Sequence, residues 1–336
     1  MEPRHPQKGY FISDLRVGER VVGYFVDKHK QLEPFRDRSK GEFLTLVLSD
    51  RTGDVLARVW DDAPALAETF AEGDVIKVAG DVEEYLGRTQ VIVNKLRRAE
   101  ENEYDLADFL PATEKDVDAM LAAVQAQVRR IENPHLSALV RLFYDDAQFT
   151  ARLAQAPAAR RVHHAYLGGL LEHISEILAL CDAVLAIFPA IDGDLLRAGA
   201  LLHDVGKLRE FSWEREIDYT DEGRLVGHVV LGDEALSRAL AQLPDFPEEL
   251  ALRVRHMLLS HHGRYEWGSP RRPATLEAIA LHHVEDLSAQ VNRFQLLLGA
   301  RREPGEAWTE YDRLLGRQLY AGPNSDLNIE EASELE

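Results

Sequence analysis

From Leu15 to about Leu96 apolar and polar positions alternate in short runs separated by turns. In GEFLTLVLSDRTGDVLARVWDD, Phe43, Thr45, Val47 and Ser49 alternate with Leu44, Leu46, Leu48 and Asp50. That period of two sends side chains to opposite faces of a strand, and the stretch from Asp50 to Gly53 is a turn. A preceding strand is predicted in RVGERVVGYFVDKHKQ and a short helix in PALAETF. Two more strands follow in GDVIKVAGDVEEYLGRTQVIVNKLRRA, joined around Leu86, Gly87 and Arg88. Three strands, a helix and two strands are the layout of an OB-fold barrel, although other small barrels share the strand count.

The period changes beyond the barrel. Residues 99–113 lose the alternation and read as a linker. From residue 114 to 320 apolar residues recur at three and four, as in DVDAMLAAVQAQVRRI, AYLGGLLEHISEILALCDAVLAIF and ATLEAIALHHVEDLSAQVNRFQLLL, with Pro and Gly at the breaks. The expected architecture is multidomain: a small all-β OB-fold barrel over residues 1–98, then an all-α helical domain over 114–320. Residues 321–336 are acidic with few large apolar side chains and read as a disordered tail.

Composition narrows the class. A hydrophobic share of 45% and a charged share of 29% are those of a soluble globular protein. No apolar run reaches the roughly 18 residues of a membrane span, so no membrane partner is expected. The N-terminus lacks the apolar core of a signal peptide. The single cysteine, Cys181, makes no internal disulfide and reads as a buried helical residue, which points to the cytoplasm.

The net charge of −19 does not attract polyanions, but it is unevenly spread. Residues 1–98 hold 16 Lys and Arg against 17 Asp and Glu; the remainder holds 23 against 41. Between the first two strands, DKHKQLEPFRDRSKGEF carries Lys28, Lys30, Arg36, Arg38 and Lys40 around Phe35. OB-folds grip single strands through such loops, with cations for phosphates and aromatics for bases. Phe43 and Trp60 are candidate stacking residues. An ordinary solvated turn and a barrel core explain the same residues.

The helical part carries five histidines and two aspartates in the order His173, His203, Asp204, His228, His261, His262, Asp286. One buried histidine is more often structural than a ligand. Seven such residues spread over separate helices of one bundle are a different matter, because bundles build metal sites from inward side chains on facing helices. Imidazole suits manganese, iron or zinc, and carboxylates can bridge two ions. Two ions about 4 Å apart hold and polarise a phosphate and supply its nucleophile. His163, His164, His282 and His283 are candidates for substrate or outer contacts, as are Arg264, Tyr265 and Ser269 after the histidine pair; for these the structural reading stands equally.

The order His, His-Asp, Asp resembles the signature of the HD-domain metal-dependent phosphohydrolases, and His228 with the His261-His262 pair matches members that bind two metals. HHAYLGGLLEH, LLHDVGK, YTDEGRLVGHVVLG, LSHHG, GSP and EAIALHHVEDL look like the YhaM-type 3′→5′ exoribonucleases, in which an OB-fold precedes an HD domain. The resemblance spans about residues 10–320. It implies one metal held by His173, His203, Asp204 and Asp286, and a second by His228, His261 and His262 with Asp204 bridging. It implies that Lys207 meets the scissile phosphate. It further implies two divalent ions, Mn2+ before Fe2+ or Mg2+, and 3′→5′ degradation of single-stranded RNA, with DNA as a second substrate, to nucleoside 5′-monophosphates. Hydrolysis of small nucleotides and a non-enzymatic RNA-binding adaptor are the rival readings. Assembly into a homo-oligomer enclosing a channel is compatible with the chain.

Overall fold

The computed structural model describes residues 8–35, 37–85, 87–214, 216–299 and 306–322. Arg36, Leu86 and residues 323–336 of the expected tail lie outside the described residues, as does the side chain of Lys40. The chain divides into two compact units: residues 1–114 with 166–168 and 209–224, and residues 115–165 with 169–208 and 225–336.

The first unit is built on a closed five-stranded barrel. Its elements are β1 (Arg20–Pro34), β2 (Glu42–Asp50), β3 (Gly53–Val59), α1 (Ala63–Ala67), β4 (Val75–Tyr85) and β5 (Arg88–Arg98). The strands run in the order β1-β2-β3-β5-β4, with β3 and β5 parallel and the other pairs antiparallel. The alternation read in β2 puts Leu44, Leu46 and Leu48 wholly inside, against Phe25, Ile76, Val78 and Val91. At the β2–β3 turn the Asp50 carboxylate accepts from the Thr52 amide at 2.8 Å and from Ile12 N at 2.8 Å, which locks the reversal to the chain before β1. Residues 99–113, expected as a linker, cover this barrel: Phe109 is buried and Tyr104 packs with it against Tyr24, Val26 and Val75. Two aromatic rings with an apolar patch to cover explain why the segment does not hang free.

The second unit is helical. It comprises α2 (Val117–Arg129), α3 (Pro134–Tyr144), α4 (Ala147–Leu153), α5 (Gly169–Ile187), α6 (Gly193–Leu202) and the start of α7 (Lys207–Glu210). After a small hairpin, β6 (Phe211–Ser212) with β7 (Asp218–Tyr219), and α8 (Asp221–Leu225), it continues with α9 (His228–Leu240), α10 (Glu248–Ser260) and α11 (Leu276–Gly299). Acidic or amide side chains start several helices; Asp192 accepts from the amides of Asp194 and Leu195, both at 3.1 Å, which satisfies donors that a helix start leaves open. α5 buries Leu170, Leu171, Ile174, Ile177, Leu178 and Cys181 and packs against α2, α6 and α11. Each such leucine contributes about 1.5–3 kcal/mol by burial. Among the described residues no helix is long and apolar enough to cross a membrane.

Candidate metal centre and nucleic-acid surface

Two helices of the second unit end on a histidine. His203 caps the C-terminus of α6 and His261 that of α10. The last carbonyls of a helix have no partner within it, and here each cap histidine takes one. His203 Nδ1 lies 2.8 Å from the carbonyl of Ala200, and His261 Nδ1 lies 2.7 Å from that of Leu258. A carbonyl can only accept, so Nδ1 carries the proton and Nε2 is left as the lone-pair nitrogen. His262 repeats the arrangement, with Nδ1 at 2.7 Å from the Trp267 carbonyl. His173 reaches it through side chains: its Nδ1 is 3.0 Å from Ser288 Oγ, which donates to Glu176 at 2.8 Å.

Asp204 stands between these nitrogens. Its Oδ2 lies 3.2 Å from His203 Nε2 and 3.7 Å from His173 Nε2; its Oδ1 lies 3.6 Å from both His228 Nε2 and His261 Nε2. Thus His173, His203 and Asp204 form one group, and His228, His261 and His262 another, each with its donor atoms within 4.8 Å. His228 opens α9, and it comes this close because Gly206 has no Cβ. A methyl there would stand 2.0 Å from the His228 carbonyl. Lys207 is buried with its ammonium 2.7 Å from Asp204 Oδ2.

The electrostatics favour neutral imidazoles at His173, His261 and His262 around one fixed anion. Burial pushes His173 and His261 well below the ordinary histidine value, and His262 down to about 4. Burial opposes the charge on Asp204 too, but Lys207 and His203 outweigh it and hold the carboxyl well below its usual range. For His203, burial is overcome by the Asp204 charge and hydrogen bond, so its value rises.

The donor set fits divalent metal. The Nε2 atoms of His173, His203 and His261 and Asp204 Oδ1 are buried without a hydrogen bond, while Asp204 Oδ2 faces the Lys207 ammonium. Leaving one such group unsatisfied costs about 1–3 kcal/mol, and four in one cavity are accounted for by a ligand that takes lone pairs. Neutral imidazole and ionised carboxylate are what a divalent cation requires.

Six of the seven expected ligands therefore meet. Asp286 does not join either group; it is half-buried on α11 and accepts from Gln290 at 2.6 Å. The buried carboxylate of that turn is its neighbour Glu285, pushed up to about 7 by burial and then by the negative charge of Asp204. Leu281, Glu285, Ser288 and Asn292 form the buried stripe of α11 at intervals of three and four. That stripe carries Glu285, which was not among the expected ligands, on the buried face of the helix beside Asp286.

The other histidines have varied roles. His164 is fully buried, with Nε2 at 3.2 Å from Glu176. Glu176 also meets Lys115 at 2.8 Å and is held down to about 2: burial would raise it, but His164 and Lys115 prevail. His163 is half-buried, its ring 5.3 Å from that of His173. His282 Nδ1 bonds the His261 carbonyl at 2.9 Å, and His283 is exposed.

In the barrel the expected contacts divide into engaged and presented groups. Lys28 pairs with Asp54 at 2.7 Å, and Lys30 donates to the carbonyls of Ala67, at 2.5 Å, and Phe70. Arg38 is exposed. Phe35, Phe43 and Trp60 form a half-buried triangle with ring centres 5.0–5.8 Å apart. Arg58, not singled out from the sequence, lies over Phe43 at 5.4 Å, Trp60 at 5.5 Å and the exposed Tyr85 at 5.8 Å. Arg58 and Tyr85, with Arg88 and Gln90, line a groove of about 880 Å³.

Comparison with known proteins agrees with this division. The HD domain family matches residues 149–290, and the OB-fold nucleic acid binding domain family matches residues 20–99. The chain is 36% identical over 314 residues to the 3′-5′ exoribonuclease YhaM of Bacillus velezensis, covering 93% of this chain and 98% of that protein. Among solved structures, the second OB-fold domain of replication protein A from Methanococcus maripaludis matches at 22% identity, 27% of this chain, 95% of that chain and a TM-score of 0.24. Asparaginyl-tRNA synthetase from Pyrococcus horikoshii matches at 12% identity, 74% of this chain, 63% of that chain and a TM-score of 0.23. With an OB-fold barrel, an HD domain and a relative of this identity along nearly the whole of both sequences, the chain belongs to the YhaM family of 3′-5′ exoribonucleases.

Proposed function

We propose that this protein is a divalent-metal-dependent 3′→5′ exonuclease that degrades single-stranded RNA, and single-stranded DNA as well, to nucleoside 5′-monophosphates. The observation that carries this reading is the 36% identity to an exoribonuclease over almost its entire length, in a chain whose histidine cluster is complete. His173, His203 and Asp204 would hold one ion, with Glu285 or Asp286 as the further carboxylate, and His228, His261 and His262 would hold the second beside Asp204. Mn2+ suits this mixed donor set best, with Fe2+ and Mg2+ as substitutes. When bound, two such ions polarise the phosphodiester and lower the pKa of water.

The chain's own groups set the rest. The carbonyl bonds at Nδ1 keep the ring nitrogens aimed before substrate arrives, so no reorganisation is needed during reaction. The Lys207 ammonium, fixed in the cavity beside Asp204, meets the charge that builds on the phosphate. The barrel holds the strand through Phe35, Phe43, Trp60 and Arg58. A lone cysteine, Cys181, buried with its thiol pushed up to about 12, suits the reducing cytoplasm in which we place the enzyme.

The test is a time course with Mn2+ on an oligoribonucleotide labelled at its 5′ end, run beside free nucleoside triphosphates. A ladder of labelled products shortening from the 3′ end, with 5′-monophosphates released, is the expected result. Consumption of the triphosphates with an intact oligonucleotide overturns the proposal.

A further inference from the structure

The loop after the histidine pair carries chemistry that the metal centre does not use. Residues 264–272 hold three arginines and one glutamate, within a stretch, residues 99–336, that has 41 acidic against 23 basic residues. Two aromatic side chains stand out of it, Tyr265 at 58% exposure and Trp267 at 44%. Each has a guanidinium on its face: Arg264 lies 4.6 Å from the Trp267 ring and Arg272 lies 5.9 Å from that of Tyr265.

The loop is held rigid. Gly268 N and Ser269 N donate to the carbonyls of Tyr265, at 3.0 Å, and Arg264, at 3.2 Å. The buried Ser269 hydroxyl donates to Leu259 O at 3.2 Å, and Arg271 N bonds the same carbonyl at 3.4 Å. Gly263 makes the tight entry: its φ is +74°, and a Cβ there would stand 2.3 Å from the His282 ring. The Trp267 carbonyl fixes His262 Nδ1 at 2.7 Å, so the aromatic segment is hydrogen-bonded directly to a residue of the metal cluster.

We infer that this loop is the subsite for the nucleotide beside the scissile phosphate: Tyr265 and Trp267 stack on a base, and Arg264 and Arg272 pair with the flanking phosphate. The inference rests on the reading of the protein as a single-strand exonuclease and deepens it. Bases stack on aromatic and guanidinium planes whatever their identity, which suits an enzyme that must accept each residue in turn. The arginines supply local positive charge where the surrounding field repels phosphate.

Tyr265→Ala and Arg264→Ala leave every backbone bond of the loop in place. Three readouts are compared with the parent protein: KM and kcat on an oligoribonucleotide, kcat/KM on bis(p-nitrophenyl) phosphate, which is a diester without a base, and Mn2+ content. Each variant is also made in an Asp204→Asn background, and its affinity for a labelled tetraribonucleotide is measured by fluorescence anisotropy. The expected result is a KM and Kd for RNA raised about tenfold, with turnover of the small diester within about twofold and Mn2+ content unchanged. Unchanged KM and Kd overturn the subsite. Equal losses on both substrates together with lost Mn2+ also overturn it, since the loop would then serve only His262. If the parent protein cuts the small diester but not RNA, the exonuclease reading fails, and the anisotropy arm still decides the subsite.

Discussion

The barrel and the metal cavity hold their polar groups in opposite ways. In the barrel, the cations nearest the first loop are engaged on the protein itself: Lys28 with Asp54, and Lys30 with the carbonyls of Ala67 and Phe70. What it presents is an aromatic triangle with Arg58 laid over it. In the cavity, His173, His203 and His261 each have Nδ1 tied down and Nε2 left orphaned. A side chain's type therefore says little about whether it is free to bind; its second hydrogen bond says much more. Groups with one anchored and one open end are prepared for a ligand, and groups with all their donors used belong to the fold.

That contrast can be tested from its strongest side first. Asp204→Asn removes the charge that faces both histidine groups, so kcat/KM on RNA falls at least about 10³-fold while the far-ultraviolet circular dichroism is retained. Retained activity would place the metal elsewhere.

Next comes pH, read on metal-stripped protein. His262 titrates at about 4 when folded and near the ordinary 6.5 when unfolded. Between those values the unfolded chain binds the proton and the native one does not, so stability falls as pH drops through that window, by about 3 kcal/mol at its acid end. Chemical denaturation at pH 7 and pH 4.5 measures it, and a flat profile contradicts the neutral, anchored imidazole.

Smaller changes follow from the outer groups. Ser288→Ala or Glu176→Gln loosens His173 without touching a ligand atom, and Mn2+ affinity measured by chelator competition weakens about 10- to 100-fold. The barrel sharpens the comparison through a pair of variants. Trp60→Ala weakens RNA binding about tenfold, whereas Lys30→Met leaves it unchanged and lowers stability by about 1 kcal/mol. Reversed effects for that pair would mean that the engaged and presented groups had been exchanged.

Much of this was legible in one sequence because the relevant periods are short. Leu44, Leu46 and Leu48 announce an inward face, and the chain places all three in the barrel core. The motif around His203 and Asp204 is likewise local. Three things were not legible. The packing of Tyr104 and Phe109 onto the barrel depends on a patch assembled from β1 and β4, far away in sequence. The engagement of Lys30 depends on the end of α1, about forty positions on. Which of the neighbours Glu285 and Asp286 is buried depends on how α11 packs, which the motif does not carry.

The coincidence of two proposed ligands, His203 and His261, with two helix ends has a mechanical side. Each added residue advances an α-helix by about 1.5 Å and turns it by about 100°. α6 and α10 thus act as a pair of rods whose lengths set where His203 and His261 stand. A single-residue insertion in either rod swings its nitrogen away from Asp204, and the short segments that follow, which carry Asp204, Gly206 and the Trp267 carbonyl, leave no slack to absorb it.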